Sequence, residues 1–303
     1  MTSPADPWPP LPYADWAETA ETLHLWTQVV GKVRLALATP VNHWWHVALY
    51  VDSRGLTTSA IPCGDRAFAI AFDFIDHRLV VSCSDGALEQ FPLEPQSVAR
   101  FHARLMAALD RIGVRAHVWT TPCEIADPIP FEQDEAHHSY DPRATAAFWR
   151  VLLSTSEVLA TFRRDFLGKA SPIHFFWGSF DLALTLFSGR TAPPHPGSPL
   201  MPARIAEEAY SHEVASFGFW PGGGGADASF YAYAYPEPEG FAAATVQPGA
   251  ARYDKAFGEF LLPYEAVRTA VSPTAELLAF YRGAYAAAAD HADWPRAALE
   301  RGG

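Results

Sequence analysis

The chain has 303 residues, 49% of them hydrophobic and 14% aromatic, a composition that excludes intrinsic disorder and supplies one large core or two modest ones. Its 22 basic residues stand against 34 acidic ones, a net charge of −12, which argues against nucleic-acid and anionic-membrane partners. Cys63, Cys83 and Cys123 are scattered and odd in number, so neither a disulfide framework nor a zinc knuckle is expected.

In chain order, the opening "MTSPADPWPPLPY" shows neither a basic nor an apolar targeting segment, and no later apolar run reaches membrane-spanning length. A cytoplasmic location is the expectation. Asp15 and Glu18 then read as a helix start, with Trp16, Leu23, Trp26 and Val30 on one face and Gly31 as the stop. Strands are expected in "KVRLALA", "HWWHVALYV", "RAFAIAFDFI" and "RLVVSCS", with turns at "DSRG" and "SDG". The run "SVARFHARLMAALDRIG" predicts an amphipathic helix through Val98, Phe101, Leu105 and Ile112, ended by Gly113, and "VRAHVW" a closing strand.

Residues 123–142 are rich in proline and acids and show no period, so they read as an irregular linker. Asp141-Pro142 starts a second helix through Phe148, Leu152, Leu159, Phe162 and Phe166, ended by Gly168. The stretches "IHFFWGSFDLALTLF", "SHEVASFGFW", "SFYAYAYPEP" and "GEFLLPY" follow as strands, and Ser272-Pro273 opens a last helix through Leu277, Phe280 and Tyr281.

The two parts echo each other. Gly31-Lys32 parallels Gly168-Lys169, Pro40 and His43 parallel Pro172 and His174, and "SRGLTT" parallels "SGRTA". Before a helix in each, "EQFPLEPQSV" parallels "GEFLLPYEAV". The expectation is an α+β fold of two similar halves, residues 1–122 and 143–303. Each would be an antiparallel sheet with packed helices, and the two would meet around a shared cleft after an internal duplication.

The stretches "WTQVVGKVRLAL", "FDFIDHRLVV", "HFFWGSFDLAL", "AYSHEV", "YAYPEP" and "EFLLPYEAVR" resemble a bacterial family, domain of unknown function 5996, over nearly the whole chain. The resemblance implies no activity, because that family is uncharacterised. It implies a basic residue ahead of "FSGR", where this chain has Leu186, which puts a role for that position in doubt here.

Strand geometry locates the chemistry. Along "HFFWGSFDLALT", His174, Phe176, Gly178, Phe180, Leu182 and Leu184 would share one face. Phe175, Trp177, Ser179, Asp181, Ala183 and Thr185 would share the other, mixing aromatics with hydroxyls and a carboxylate. Aligning His43 with His174 puts Trp44, His46, Ala48 and Tyr50 on the equivalent face. Asp181 as acid or base, assisted by His174 or His46, is the catalytic expectation, with Arg190, Ser179, Trp177 and Tyr50 binding the substrate.

No metal is expected. If one bound, His43, His174, His212 and Glu213 would be its ligands, but a strand sends His43 and His46 to opposite faces. No cofactor is required by the sequence. "WPGGGGAD" lacks the following Lys-Ser/Thr and helix of a phosphate loop and reads as a hairpin. Tyr231, Tyr233 and Tyr235 share a strand face that suits a ring-bearing ligand. The leading reading is a small-molecule enzyme of unknown substrate; its alternatives are a non-catalytic binder with an aromatic pocket and a mononuclear His/carboxylate metal enzyme.

Overall fold

The computed structural model describes residues 6–197 and 201–302. Its helices are α1 (Ala17–Leu37), α2 (Val98–Arg111), α3 (Pro142–Arg163), α4 (Ala203–Ala209), α5 (Tyr264–Arg268), α6 (Pro273–His291) and α7 (Arg296–Leu299). Its strands are β1 (Tyr50–Val51), β2 (Gly55–Thr57), β3 (Ile61–Cys63), β4 (Arg66–Asp73), β5 (Arg78–Cys83) and β6 (Leu88–Pro92), then β7 (His174–Phe176), β8 (Asp181–Thr191), β9 (His212–Gly223), β10 (Ala226–Tyr235), β11 (Arg252–Asp254) and β12 (Glu259–Pro263). They form two antiparallel six-stranded sheets, so the fold is α+β. Among the described residues no helix is long and apolar enough to cross a membrane.

The chain divides into two compact units that interleave in sequence: Asp15–Trp149 with Phe175–Phe180, and Met1–Ala14 with Arg150–His174 and Asp181–Gly303. They are called here the amino-terminal and carboxyl-terminal units.

The amino-terminal unit is built on α1, which is buried on nearly every side from Thr19 to Arg34. A helix enclosed in this way leaves its hydroxyl, amide and charged side chains to find partners within the protein. Thr19 and Thr22 accept hydrogen bonds from the backbone of Asp141 and Ser139. Gln28 pairs with both the N–H and the C=O of Cys123, each at 2.9 Å. Lys32 donates to the carbonyls of Trp119 and Thr121, and Arg34 to that of His46. The irregular chain of residues 114–141 is thus stitched to one helix by side-chain hydrogen bonds.

Four sequence expectations change here. The helix does not stop at Gly31; it runs through "KVRLAL" to Leu37. Gly31 is needed for space, since a Cβ there would overlap the Trp177 indole, whose N–H donates to the Val47 carbonyl at 2.8 Å. Residues 42–44 form a 3-10 turn rather than a strand, with His43 and Trp44 at φ 57° and 61°. Side-chain bonds hold that turn, from Arg34 of α1 to the His46 carbonyl and between the His46 ring and the Val41 backbone. "VRAHVW" forms no strand.

The fourth change bears on the site. The expected strand across 174–187 breaks after Phe176, turns through Trp177–Phe180 with Phe180 at φ 60°, and resumes at Asp181. In the turn, the Gly178 carbonyl meets the His24 ring at 2.8 Å, so the break is fixed by α1. Ser179 is exposed there, and it shares no continuous strand with Asp181.

The carboxyl-terminal unit holds a sheet of order β11-β12-β10-β9-β8-β7. Leu182, Leu184, Phe217, Phe219, Phe230, Ala232, Phe260 and Leu262 make one apolar face. Tyr264 of α5 and Tyr281 of α6 pack on it, with Phe219–Tyr264 at 5.8 Å and Phe217–Tyr281 at 6.0 Å. The hairpin expected at the glycine run joins β9 to β10, where Gly222, Gly224 and Gly225 have positive φ.

The two sheets are ordered differently. The strand leading into a helix is the edge strand β6 in the first sheet, whereas its expected counterpart β12 lies between β10 and β11. Gly31 sits inside a helix and Gly168 beyond one. The strand order and these two glycines therefore lend the expected equivalence of the halves no support.

Replacing Gly31 by Ala sets two effects against each other. Helix propensity favours Ala by about 1 kcal/mol, while overlap with a hydrogen-bonded buried indole costs roughly 1–3 kcal/mol. The variant should be less stable in denaturant unfolding; a gain in stability would show that the indole has room to move.

Candidate functional site

The second face of the carboxyl-terminal sheet is unlike the first. Register aligns Thr185 with Ser216 and Ser216 with Tyr233, and aligns Ala183, Gly218, Tyr231 and Leu261 in the next row. Asp181 shares the face of Ala183 and Thr185 by strand alternation, and Glu259 that of Leu261. Aromatic phenols, hydroxyls and the carboxyl groups of Asp181, Glu259 and its cross-strand partner Asp254 thus replace the leucines and phenylalanines of the opposite side.

Asp181 is 8% exposed, and its carboxylate accepts a hydrogen bond from the Tyr231 hydroxyl. Burial, then the neighbouring Asp181 charge, holds the Tyr231 phenol well above its ordinary range, so it stays protonated and donates. Tyr233 lies 6.2 Å from Tyr231 with nearly parallel rings, and its hydroxyl pairs with that of Tyr210 at 3.0 Å. Thr185 and Ser216 pair through their hydroxyls at 3.1 Å. His195 stacks on Tyr210 at 4.3 Å and contacts Tyr235 at 4.6 Å, which adds a ring wall at one end.

Glu259 opens β12, directly across from Asp254 on β11. It is half-buried, and burial, followed by the charges of Asp181 and Asp254, pushes its carboxyl up to about 7. Like charges placed opposite on paired strands repel, and lost water makes that repulsion stronger. A carboxyl group that titrates near neutral pH can both give and take a proton there.

The other sequence-predicted residues are placed as follows. His174 is fully buried at the start of β7. His46 is buried with its Nδ1 at 3.1 Å from the Val41 nitrogen. Trp177 is buried against Gly31, and Tyr50 is half-buried beside the Arg34 guanidinium, 5.2 Å from the ring centroid. Arg190 forms an ion pair with Glu213 at 2.7 Å and donates to the carbonyls of Ala292 and Asp293 just past α6. That position neutralises a helix C-terminus and commits the guanidinium to the fold.

The conditional metal ligands are not assembled: among the described residues no three His, Cys, Asp or Glu side chains come together to hold an ion. Glu213 serves Arg190 and Ser188, His212 meets the Ser211 hydroxyl, and His43 lies on the 3-10 turn.

Sequence reasoning missed Glu259 and the donor role of Tyr231. The signal for Glu259 was weak, a single acid at the head of a five-residue strand. A stronger one went unused on α1, where His24, Gln28 and Lys32 recur every fourth residue. Burial drives His24 down to about 4 despite its backbone hydrogen bonds, and lowers Lys32 as well.

A model described as a family of unknown function (DUF5996) matches residues 8–301. The chain belongs to this family. No curated protein and no solved structure matches it. The match covers both compact units of this DUF5996 member, including every residue of the polar face described above.

Glu259 makes a stability prediction for this DUF5996 protein. Its folded pKa of about 7 lies above the ordinary 4.5, so the folded state holds the proton more tightly. The associated stability is fully present below pH 4.5 and is lost as pH rises through about 7. Glu259→Gln should remove that dependence and be more stable at pH 8, by on the order of 2 kcal/mol. Urea unfolding of both proteins from pH 4 to 8 checks this; parallel curves would refute it.

Proposed function

We propose that the protein is a small-molecule enzyme that works by proton transfer, with Glu259 as the group that exchanges the proton and Asp181 as its charged partner. The observation that carries this reading is the half-buried Glu259 carboxyl, pushed up to about 7 on a face that also carries phenols, hydroxyls and the Asp181 and Asp254 carboxylates. A group kept in a protonation state that costs stability is typical of a site maintained for chemistry. Tyr231, Tyr233 and Tyr210 supply ring surface for an organic substrate and hydroxyls that orient its polar atoms. His174, His46 and Arg190 have no part in this reading.

A second reading is supported by the His195–Tyr210–Tyr235 ring cluster: a non-catalytic site for a ring-bearing ligand on the same face. The two differ in whether the ligand is consumed.

Incubating the protein with a mixed small-molecule extract and following it by mass spectrometry separates them. The enzyme reading expects time-dependent loss of a compound, with a rate that titrates near pH 7. Glu259→Gln and Asp181→Asn should each slow that loss by roughly 100-fold or more while keeping a cooperative melt. A compound that is retained and never consumed favours the binder. Consumption undiminished in both variants would rule out the assigned residues.

A further inference from the structure

We propose that Tyr231 is a positioning residue that decides whether Asp181 or Glu259 carries the proton they compete for, and that Gly218 provides the slot through which it does so. The inference rests on the acid–base reading above.

The geometry is specific. Tyr231 on β10 stands across from Gly218 on β9, which stands across from Ala183 on β8. To reach Asp181, the phenol must cross the whole width of β9 along the sheet surface. It crosses at a residue with no side chain: a Cβ on Gly218 would overlap the Leu182 carbonyl oxygen and both the Cζ and the hydroxyl oxygen of Tyr231. Gly218 needs no left-handed backbone, so it is required there for space rather than for conformational freedom. Tyr281 of α6 donates to the Gly218 carbonyl at 3.0 Å, which holds the strand in place beneath the ring.

The consequence follows from hydrogen bonding. A donor on the Asp181 carboxylate stabilises its charged form. That charge then disfavours ionisation of Glu259, so the proton of the pair resides on Glu259. Several other ionisable groups bear on the pair: Tyr233 of β10 and Tyr210 beside it, Asp254 and Tyr253 of β11, and Arg252, whose position on β11 faces Leu261. None of these occupies the Gly218 slot, and Tyr231 is the residue that threads it.

The test uses the ligand-free full chain, with the carboxyl carbons of Asp and Glu labelled and titrated by NMR. In Tyr231→Phe the ring stays in its slot and only the donor is lost. The Asp181 midpoint should rise and the Glu259 midpoint should fall from about 7, although not fully to 4.5, because burial, its largest cause, is unchanged. A purely structural tyrosine would lower the melting temperature and leave both midpoints where they were. Gly218→Ala, which displaces the ring and also presses on the Leu182 carbonyl of β8, should move both midpoints in the same directions; if it does not fold, Tyr231→Phe alone decides. Unchanged midpoints in Tyr231→Phe overturn the proposal. Because no substrate is present, this result is independent of whether any compound is turned over. Shifted midpoints with no activity would therefore count against the enzyme reading and not against the role of Tyr231.

Discussion

A polar group taken out of water must find a partner, and this constraint governs both units of the protein. In the amino-terminal unit the enclosed element is α1, and its Thr19, Thr22, Gln28, Lys32 and Arg34 meet it by binding the backbone of irregular chain. A long stretch without regular structure would otherwise leave its own N–H and C=O groups unmatched. Side chains of α1 stand in for the strand that a sheet would have provided. Gln28 shows this most plainly, since its amide pairs with Cys123 on both backbone groups, as a neighbouring strand would.

In the carboxyl-terminal unit, β8 and β9 are buried along most of their length on both faces. One face resolves the constraint by being apolar. The other carries Asp181, Thr185 and Ser216, which meet Tyr231 and each other. This second solution is costly, because a sheet face lined by leucine and phenylalanine would bury the same area with no partner to find. Glu259 adds to the cost, since its folded form resists ionisation at neutral pH. A face that is expensive to maintain, alongside one that is not, is the physical basis for proposing a site there.

The division also explains the break at Trp177–Phe180. A single strand through that stretch would align Trp177 and Ser179 with Asp181. Instead Trp177 is drawn against Gly31 and Val47, and Gly178 against His24. These long-range contacts cost one turn with a left-handed Phe180, and they outweigh the β preference of an aromatic run.

Composition, period and punctuation by themselves determined much of this protein. They placed α2 and α6, strands β4 and β5, the β9–β10 hairpin, the proline start of α3, the α+β class, and Asp181 on one face with Thr185. Those features are local, set by apolar spacing and turn chemistry within a few residues. What only the tertiary structure decided involves distant partners. Gly31 looked like a helix stop because its packing against Trp177 lies far along the chain, and "HWWHVALYV" looked like a strand because its hold on Arg34 was invisible. The Tyr231 donor, the Gly218 gap and the pairing of Glu259 with Asp254 arise from register between strands, which no single segment encodes. The sequence therefore placed Asp181 beside Thr185 on this face, and strand pairing decided which groups surround it.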